Sequence, residues 1–434
     1  MTRPRLFTLA LCAAMALAGC AAAGDNRPVA SSPQMAGVEQ KPPVTILVSI
    51  DGFRADYLDR GVTPRLDALA ASGVSAAMEP SFPSKTFPNH WAIVTGDYPD
   101  HSGITANRME DPDRPGETFT MATDDPFWWN AASPIWVDAE KAGIRTATMF
   151  WPGANVAWGG SRAAEWPNDV TGGTRPEDWQ QFNQAVTGEQ RVNAVLDWMR
   201  RPPAIRPKFV TLYFDTVDTA GHEYGPDDAR TTAAVADIDT KIGMLVDGLK
   251  ALHQPANLVI VADHGMAPIS SDRVVALDQI APSGDYRVIE SGPYASLEPT
   301  KGHEADVARL IPGRHGHATC WRKQDIPARF HYGTNRRIPP YFCLADVDWQ
   351  VLATKAERPE TGGNHGYDNL APEMQALFIA NGPAFSSGQK LKPFINVDIE
   401  PLLRDVIGLP PKGGIDGTDV PFRHVLRRDA IKGE

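Results

Sequence analysis

Six aspartates and histidines have the types and spacing of a metal centre. They are Asp51, Asp218, His222, Asp263, His264 and His365. Asp218 and His222 are four residues apart, so their side chains can converge on one point, and the adjacent pair Asp263-His264 directly follows a predicted strand. Either pair alone is also typical of structural hydrogen bonding, so the prediction depends on the whole set. Oxygen and nitrogen ligands without cysteine suit Zn²⁺ in an open catalytic site. Six ligands exceed the need of one tetrahedral ion, which predicts two zinc ions roughly 3.5–4 Å apart.

Thr86 is the hydroxyl that such a centre could activate. The stretch Ser84–His90 predicts the start of a helix, with Thr86 as the N-cap and Pro88 in the first turn. A helix N-terminus carries free N–H groups and the positive end of the helix dipole, so it suits a phosphate. An ordinary capped helix is the alternative interpretation of Thr86 taken alone.

Alternating strands and helices must position these side chains. Strands are predicted over 44–50, 145–150, 209–214, 258–262 and 376–380, and helices over 63–72, 184–200, 231–252 and 397–406. Residues 111–130 are expected to form a loop. The alternation predicts an α/β fold with a mostly parallel central sheet and helices on both faces. Ligands bind such sheets outside the carboxyl ends of the strands. Asp51 and Asp263 each directly follow a predicted strand.

The composition is that of an acidic globular protein. The chain has 434 residues, 42% of them hydrophobic, and a formal net charge of -11. This hydrophobic content is ordinary for a protein with a large core. The net charge is negative and the sequence has no run of basic residues, which argues against a nucleic-acid-binding surface.

Residues 1–19 predict a signal peptide. Two arginines precede the apolar run Leu6–Leu17, which is too short and wrongly flanked for a membrane span. The run leads into Leu17-Ala18-Gly19-Cys20. This resembles a bacterial lipobox, in which the peptide is cut before Cys20 and that cysteine receives the lipid. Plain secretion with cleavage near the alanines is the alternative.

The predicted domain organisation begins with this targeting signal. Residues 20–42 predict a flexible, lipid-anchored tether, and residues 43–434 a catalytic domain with a smaller lobe inserted at about 270–360. No other stretch is apolar enough to cross a bilayer. Ala21 follows the lipobox cysteine, which by analogy with enterobacterial sorting favours the outer membrane. We therefore expect a periplasmic or extracellular protein that contacts the membrane only through its lipid.

Two cysteines remain outside the signal and the lipid site. Cys320 and Cys343 form an even pair in an oxidising compartment, which predicts one disulfide. Two free buried thiols are the alternative.

Seven motifs resemble those of a known family. They are Ser49–Arg54, Pro83–His90, Gly103–Asn107, Phe150–Gly153, Asp218–Pro226, Ala262–Met266 and Gly363–Asn369. In this order they resemble the nucleotide pyrophosphatase/phosphodiesterase (type I phosphodiesterase) family in its bacterial form, a branch of the alkaline phosphatase superfamily. The resemblance implies an alkaline-phosphatase-like fold, two zinc ions and a small-molecule phosphodiester substrate. The run Thr216-Val217 before Asp218 differs from the usual family sequence.

The resemblance also implies roles for individual residues. One zinc would be held by Asp51, Thr86, Asp263 and His264, and the other by Asp218, His222 and His365. Thr86 would be the nucleophile and carry a transient phosphoryl group. Asn107, with a backbone N–H near Thr86, would bind a phosphate oxygen where phosphatases of the superfamily use an arginine. A neutral amide suits the single charge of a diester.

The substrate pocket is predicted from its aromatic residues. Phe87 could stack on a nucleotide base, and Trp151 or Trp158 could form the opposite wall. Packing in the core is the alternative for Trp151. Nucleotide-type diesters or pyrophosphates are the expected substrates. The alternatives are a choline-phosphate type headgroup phosphodiesterase, a phosphomonoesterase or phosphonate hydrolase, and a non-catalytic ligand-binding lipoprotein.

Overall fold

A nine-stranded sheet forms the centre of the fold, and the computed structural model describes residues 40–355 and 360–429. The strands within those residues are β1 Val44–Ile50, β2 Val74–Glu79, β3 Met109–Glu110, β4 Thr118–Phe119, β5 Thr146–Met149, β6 Ser161–Arg162, β7 Val170–Thr171, β8 Asp178–Trp179, β9 Phe209–Phe214, β10 Ala256–Val261, β11 Ala267–Ile269, β12 Val274–Ala276, β13 Tyr286–Glu290, β14 Tyr294–Pro299, β15 Gly313–His315, β16 Ala318–Arg322, β17 Tyr341–Ala345, β18 Gln350–Leu352, β19 Gly362–Asn364, β20 Ala376–Asn381, β21 Gln389–Lys390 and β22 Phe394–Ile395.

The described residues also form helices. They are α1 Pro64–Ser72, α2 Thr86–Thr95, α3 Pro99–Ser102, α4 Pro126–Trp129, α5 Ile135–Lys141, α6 Gly188–Met199, α7 Thr216–Tyr224, α8 Ala229–Ala251, α9 Glu304–Leu310 and α10 Ile399–Ile407. Short 3₁₀ turns lie at Ala55–Arg60, Leu277–Gln279, Lys323–Asp325, Ala328–Phe330, Pro372–Met374 and Asn396–Asp398. Helices α1, α6 and α7 pack against α8, whereas α2 and α5 pack against α10.

The central sheet is mostly parallel, as predicted. Its strand order is β21-β2-β20-β10-β1-β9-β5-β8, and β22 also pairs with β2. Strand β1 is buried along its whole length and pairs in parallel with β9 and β10. Strand β20 is antiparallel to both of its neighbours, β10 and β2. The predicted α/β fold class is therefore confirmed.

The boundaries of several elements differ from the prediction. The predicted helix 184–200 begins at Gly188, because Thr187 and Gln190 form a capping box that fixes its first turn. The predicted loop 111–130 contains the short helix α4. Strand β2 was not predicted from the sequence.

A second, antiparallel sheet forms what we call the small lobe, residues 286–345. Its strand order is β13-β14-β17-β16-β15. Cys320 and Cys343 lie directly opposite each other on β16 and β17 and form a disulfide, which confirms that prediction. The prediction of an inserted lobe at about 270–360 concerns this part of the chain and stays a prediction.

The predicted targeting segment lies outside the described residues. This applies to the signal peptide at 1–19, to Cys20 and to nearly all of the tether at 20–42. Among the residues that the structure describes, no helix has the length and apolar character needed to cross a membrane.

Candidate active site

The predicted ligands meet at the carboxyl ends of three adjacent parallel strands. Asp51 directly follows β1, Asp263 lies two residues after the end of β10, and Asp218 lies in the first turn of α7, which follows β9. His365 follows β19, and Thr86 opens α2. Polar side chains accumulate at this edge because parallel strands end there together.

A first group of polar atoms surrounds the imidazole of His264. Its Nε2 lies 2.9 Å from Oδ2 of Asp263, 3.5 Å from Oδ1 of Asp51 and 3.3 Å from Oγ1 of Thr86. Asp51, Asp263 and His264 are all buried. This arrangement places the Thr86 hydroxyl within reach of a cation held by these side chains.

A second group lies beside the first. Asp218 Oδ2 is 3.5 Å from His222 Nε2, and Asp218 Oδ1 is 3.8 Å from His365 Nε2. The two Nε2 atoms are 3.1 Å apart. The rings of His264 and His365 stack with their centroids 3.5 Å apart, which joins the two groups.

Hydrogen bonds fix the tautomer of all three histidines. His222, His264 and His365 each direct Nδ1 at a backbone carbonyl, which requires a proton on Nδ1. The acceptors are the carbonyl oxygens of Gly363, Gly265 and Ser84, at 2.9, 2.9 and 2.8 Å. Each Nε2 then carries a lone pair directed at the centre, as a metal ligand requires.

Three carboxylate oxygens of the site are buried without a hydrogen-bond donor. They are Oδ1 of Asp51, Oδ1 of Asp218 and Oδ2 of Asp263. Other donors hold the opposite oxygens, since Tyr213 OH donates to Asp51 Oδ2 at 2.7 Å and the Gly52 N–H donates to Asp263 Oδ1 at 3.2 Å. A buried oxygen without a donor is costly unless a cation occupies the site. The residues present therefore fit bound metal ions.

The carboxyl pKa values report the same crowding of negative charge. Burial, then the charges of Asp263 and Asp218, raise the pKa of Asp51 well above its usual value. Burial also raises the pKa of Asp218. Burial would raise the pKa of Asp263 as well, but interactions with the imidazoles of His264 and His90 outweigh it and hold that pKa far below its usual value. A cation at the centre would relieve this repulsion.

Asn107 contacts the start of α2 directly. Its Oδ1 accepts a hydrogen bond from the Phe87 N–H at 2.9 Å, which leaves its amide NH₂ group as the donor for a phosphate. Helix α2 begins at Thr86 with Lys85 at the N-cap, so the predicted N-cap role of Thr86 is wrong. The reason is that the Thr86 hydroxyl points at His264 instead of its own helix. The Thr86 N–H has no hydrogen-bond partner among the residues that the structure describes.

A cleft of about 250 Å³ opens beside Thr86. Phe87 and Trp151 lie in its wall, and Trp151 is also buried against the hydrophobic core and donates its indole N–H to the carbonyl of His90 at 3.1 Å. Trp158 does not line this cleft. Its indole N–H donates to the Ala132 carbonyl and Lys141 lies over its ring, so it packs elsewhere and the structure does not bring it to the site.

The sequence did not reveal one wall of the cleft. Phe182 lines it and is 43% exposed, which is unusual for so large an apolar side chain. The guanidinium of Arg191 lies 5.7 Å from its ring and pairs with Asp215 at 2.7 Å, and Asp215 also accepts from Gln184. A lone aromatic residue in a polar loop gives no periodic signal, so nothing in the sequence marked it.

Lys85, the residue before Thr86, also lies at the site. It is buried, and its Nζ donates to Asn364 Oδ1 at 3.3 Å beside the second group of ligands. Burial lowers the pKa of this ammonium. The residue therefore belongs to the site.

Comparison with known proteins agrees with this geometry. A family model described as type I phosphodiesterase/nucleotide pyrophosphatase matches residues 45–368, which is most of the 434-residue chain. The chain belongs to this family. The seven motifs that suggested the resemblance lie within the matched residues, except for the last residue of the seventh motif, Asn369.

Two relatives of the phosphodiesterase family match over most of their own length. An uncharacterized pyrophosphatase/phosphodiesterase of Schizosaccharomyces pombe is 36% identical over 408 residues, covering 87% of this chain and 80% of the relative. The bis(5'-adenosyl)-triphosphatase enpp4 of Xenopus laevis is 36% identical over 383 residues, covering 87% and 81%. Both relatives are eukaryotic, so the assignment to a bacterial branch stays a prediction.

The fold matches a solved member of the family. Murine ectonucleotide pyrophosphatase/phosphodiesterase 5 superposes with a TM-score of 0.82 at 31% identity, and the match covers 88% of this chain and all of that one. An inactive variant of the same murine protein has been solved in complex with AMP.

Proposed function

We propose that this protein is a zinc-dependent hydrolase of nucleotide-type phosphodiesters or pyrophosphates, with Thr86 as its nucleophile. One observation carries the proposal above the others. The Thr86 hydroxyl lies 3.3 Å from His264 Nε2, at a site where three buried carboxylate oxygens have no donor. Such a site needs cations, and cations beside a hydroxyl make it a nucleophile.

Seven residues would hold two zinc ions. Asp51, Thr86, Asp263 and His264 form the first group, and Asp218, His222 and His365 form the second. When bound, the ions would supply the Lewis acidity that favours the Thr86 alkoxide and neutralises charge on the phosphate. The donor set of carboxylates and imidazoles without thiolate supports zinc.

The residues of the site divide the reaction between them. Thr86 Oγ1 attacks phosphorus, the bond to the leaving oxygen breaks, and a phospho-threonine forms. Water then attacks the phospho-threonine, the bond between Oγ1 and phosphorus breaks, and the second product leaves. Asn107 and the unpaired Thr86 N–H donate to the phosphate oxygens as their charge grows. Because Asn107 is neutral, it matches the single charge of a diester better than the double charge of a monoester.

The cleft favours a nucleotide over a choline-type headgroup. Its polar wall includes the neutral amides of Asn155, Gln180 and Gln181, which can donate and accept as a base edge requires. The nearby carboxylate of Asp215 is already paired with Arg191, so it is not free to hold a quaternary ammonium. The triphosphatase activity in the name of the Xenopus relative and the AMP complex of the murine protein support the same choice.

The proposed location is outside the cytoplasm. We infer from the signal peptide at 1–19 and the lipobox at Cys20 that the protein is periplasmic or extracellular and is anchored by lipid, with the outer membrane as the expected site. Mass spectrometry of the N-terminal peptide from membranes tests this, because an unmodified N-terminus beyond Cys20 would contradict it.

A substrate panel tests the activity. Purified protein is assayed on the nitrophenyl ester of thymidine 5'-monophosphate, bis-nitrophenyl phosphate, nitrophenyl phosphate and nitrophenyl phosphorylcholine, each with and without chelator. We expect the nucleotide ester to be cleaved with the highest kcat/KM and all activity to be lost with chelator and restored by Zn²⁺. Faster cleavage of the monoester, or of the phosphorylcholine ester, would contradict the proposal.

A further inference from the structure

One buried arginine of the small lobe makes contacts on both sides of Asn107. Arg337 donates from Nε to Asp111 Oδ2 at 2.6 Å and from Nη1 to the Gly103 carbonyl at 2.7 Å. Gly103 lies four residues before Asn107 and Asp111 four residues after it. The side chain of Arg337 is 6% exposed and the Asp111 carboxylate is fully buried. We call residues 103–111 the Asn107 loop.

The loop has few hydrogen bonds of its own. None of the backbone N–H groups of residues 104–108 donates to another backbone group within the described part of the chain. The contacts that hold it come from outside. Tyr332 of the small lobe donates its hydroxyl to the Thr105 carbonyl at 3.1 Å, and the Phe87 N–H donates to Asn107 Oδ1. The position of the Asn107 amide therefore depends on what holds the two ends of the loop.

Arg337 also holds a wall of the cleft. Its Nη1 donates to the Trp128 carbonyl at 2.7 Å and its Nη2 to the Phe127 carbonyl at 3.3 Å, both in α4. The next residue of α4, Trp129, lines the cleft with its ring centroid 5.9 Å from that of Phe87. A guanidinium has five donors in a rigid plane, so one side chain can bind all these acceptors, whereas an ammonium cannot.

The neighbouring backbone strengthens the attachment. The Asp100 carboxylate accepts hydrogen bonds from the Gly333 N–H, the Thr334 N–H and hydroxyl, and the Asn335 N–H, at 2.8–3.3 Å. Asp100 lies in α3, which ends where the Asn107 loop begins. Residues 332–337 thus contact the chain both before and after Asn107, from Asp100 to Asp111.

We propose that Arg337 is a positioning residue that holds Asn107 and the α4 wall in their working geometry, so that the small lobe takes part in catalysis without contacting the substrate. The proposal rests on the proposed phosphodiesterase function. Transition-state donors must be fixed to a fraction of an ångström, and a displacement of about 1 Å can cost on the order of 100-fold in rate.

The kinetic test uses Arg337→Met, which keeps the aliphatic stem and removes the donors, and Arg337→Lys, which keeps the charge. For bis-nitrophenyl phosphate we expect R337M to lower kcat by about 10- to 100-fold with little change in KM. We expect the kcat of R337K to lie between those of R337M and wild type.

Arg336→Met is the matched control. Arg336 also pairs with Asp111 but is half exposed, and within the described residues it donates no hydrogen bond to Gly103 or α4, so R336M should keep nearly wild-type kcat.

A double-mutant cycle separates positioning from general structural support. If Arg337 acts through Asn107, R337M in an Asn107→Ala background should cost less than about threefold, because the misplaced group is already absent. The same loss in both backgrounds would overturn the proposal. A wild-type kcat in R337K, which keeps the charge but not the planar donors, would also overturn it.

Hydrogen exchange provides a readout that does not depend on activity. In R337M, peptides covering 103–111 and 126–130 should exchange faster than in wild type and in R336M, while peptides of α10 should not change. Unchanged exchange in 103–111 would overturn the positioning role. If the wild-type protein is inactive but the exchange pattern is as expected, the proposed function is wrong, whereas the role of Arg337 in holding residues 103–111 is retained.

Discussion

Thr86 lies where the two ligand groups approach each other. Its hydroxyl is close to His264, whose ring stacks on His365 of the second group. The hydroxyl makes no capping hydrogen bond to its own helix, and the adjoining N–H is unpaired within the described residues. A side chain retained only for capping would bond to the first turn of its helix, so this geometry argues for a chemical role.

We expect Thr86→Ala to abolish turnover and Thr86→Ser to retain part of it. Loss of a nucleophile lowers kcat by about 10⁴-fold or more, while binding contacts remain. The measurements are kcat on the nucleotide ester and the dissociation constant for AMP, which T86A should leave nearly unchanged. Mass spectrometry of acid-quenched wild type should reveal a phosphorylated peptide that contains Thr86. Full activity in T86A would contradict the nucleophile assignment.

Phe182 is expected to determine affinity for the base. Stacking of a base on an aromatic side chain contributes about 1–3 kcal/mol, so Phe182→Ala should raise KM for the nucleotide ester about tenfold or more. kcat should change less, because Phe182 does not contact the reacting phosphate. Trp166→Ala is the control, since Trp166 is 89% exposed and does not line the cleft. Equal KM values for F182A and W166A would rule out a stacking role.

At the scale of elements, the sequence predicted the core strands best. The bounds of β1 and β9 match the prediction because continuous β-branched and aromatic runs are typical of buried parallel strands. Strand β2 has the sequence VSAAME, with small residues that carry little strand signal, and was not found. The antiparallel direction of β20 depends on long-range pairing, which local patterns do not contain.

The predicted ligand residues come together, whereas their supports could not be predicted. Asp51 and Asp263 follow strong strand patterns, so their positions follow from sheet topology. Tyr213 acts on the site from β9 through one hydrogen bond, and Arg337 acts from the small lobe through several, all across more than 150 residues of sequence. Such contacts leave no periodicity or spacing in the sequence. The capping box at Thr187 was a missed signal that the sequence did contain.

Helix α10 contains a buried carboxyl that should make stability depend on pH. Glu400 is fully buried, and burial raises its pKa to about 7 although Arg404 lies 2.9 Å away. A carboxyl whose pKa is raised in the folded state stabilises the fold below its unfolded pKa, near 4.5, and that contribution is lost as the pH rises through about 7.

Glu400→Gln should therefore reduce the loss of stability between pH 5 and pH 8. The effect is at most about 3 kcal/mol, since each unit of pKa shift corresponds to about 1.4 kcal/mol. Urea unfolding at both pH values gives the change in unfolding free energy between pH 5 and pH 8 for each protein. The predicted effect is the difference between the change in E400Q and the change in wild type. Glu117→Gln, at an exposed position, is the control and should follow the wild type. A pH dependence in E400Q equal to that of wild type would show that Glu400 does not contribute.

At the scale of the whole molecule, the site joins the two sheets. The ligand side chains follow the carboxyl ends of strands β1, β9 and β10 of the central sheet. The Asn107 loop is held from the small lobe through the contact between Arg337 and Asp111. The carboxylates at the centre oppose this assembly, because three buried oxygens without donors repel one another. Binding of cations should therefore stabilise the entire fold and not only the site.

Removal of metal should lower the melting temperature, and added Zn²⁺ should restore it. A ligand that binds only the folded state stabilises it by about 4 kcal/mol at a thousandfold excess over its dissociation constant. Calorimetry of chelated and zinc-loaded protein measures the shift, which should shrink strongly in Asp263→Asn. His303→Ala is the matched control. His303 belongs to a third Asp/His group among the described residues, with Asp285 and Asp306, outside the candidate site. If the zinc-dependent shift persists in D263N and is lost in H303A, the stabilising metal is bound at the third group and the proposed centre is wrong.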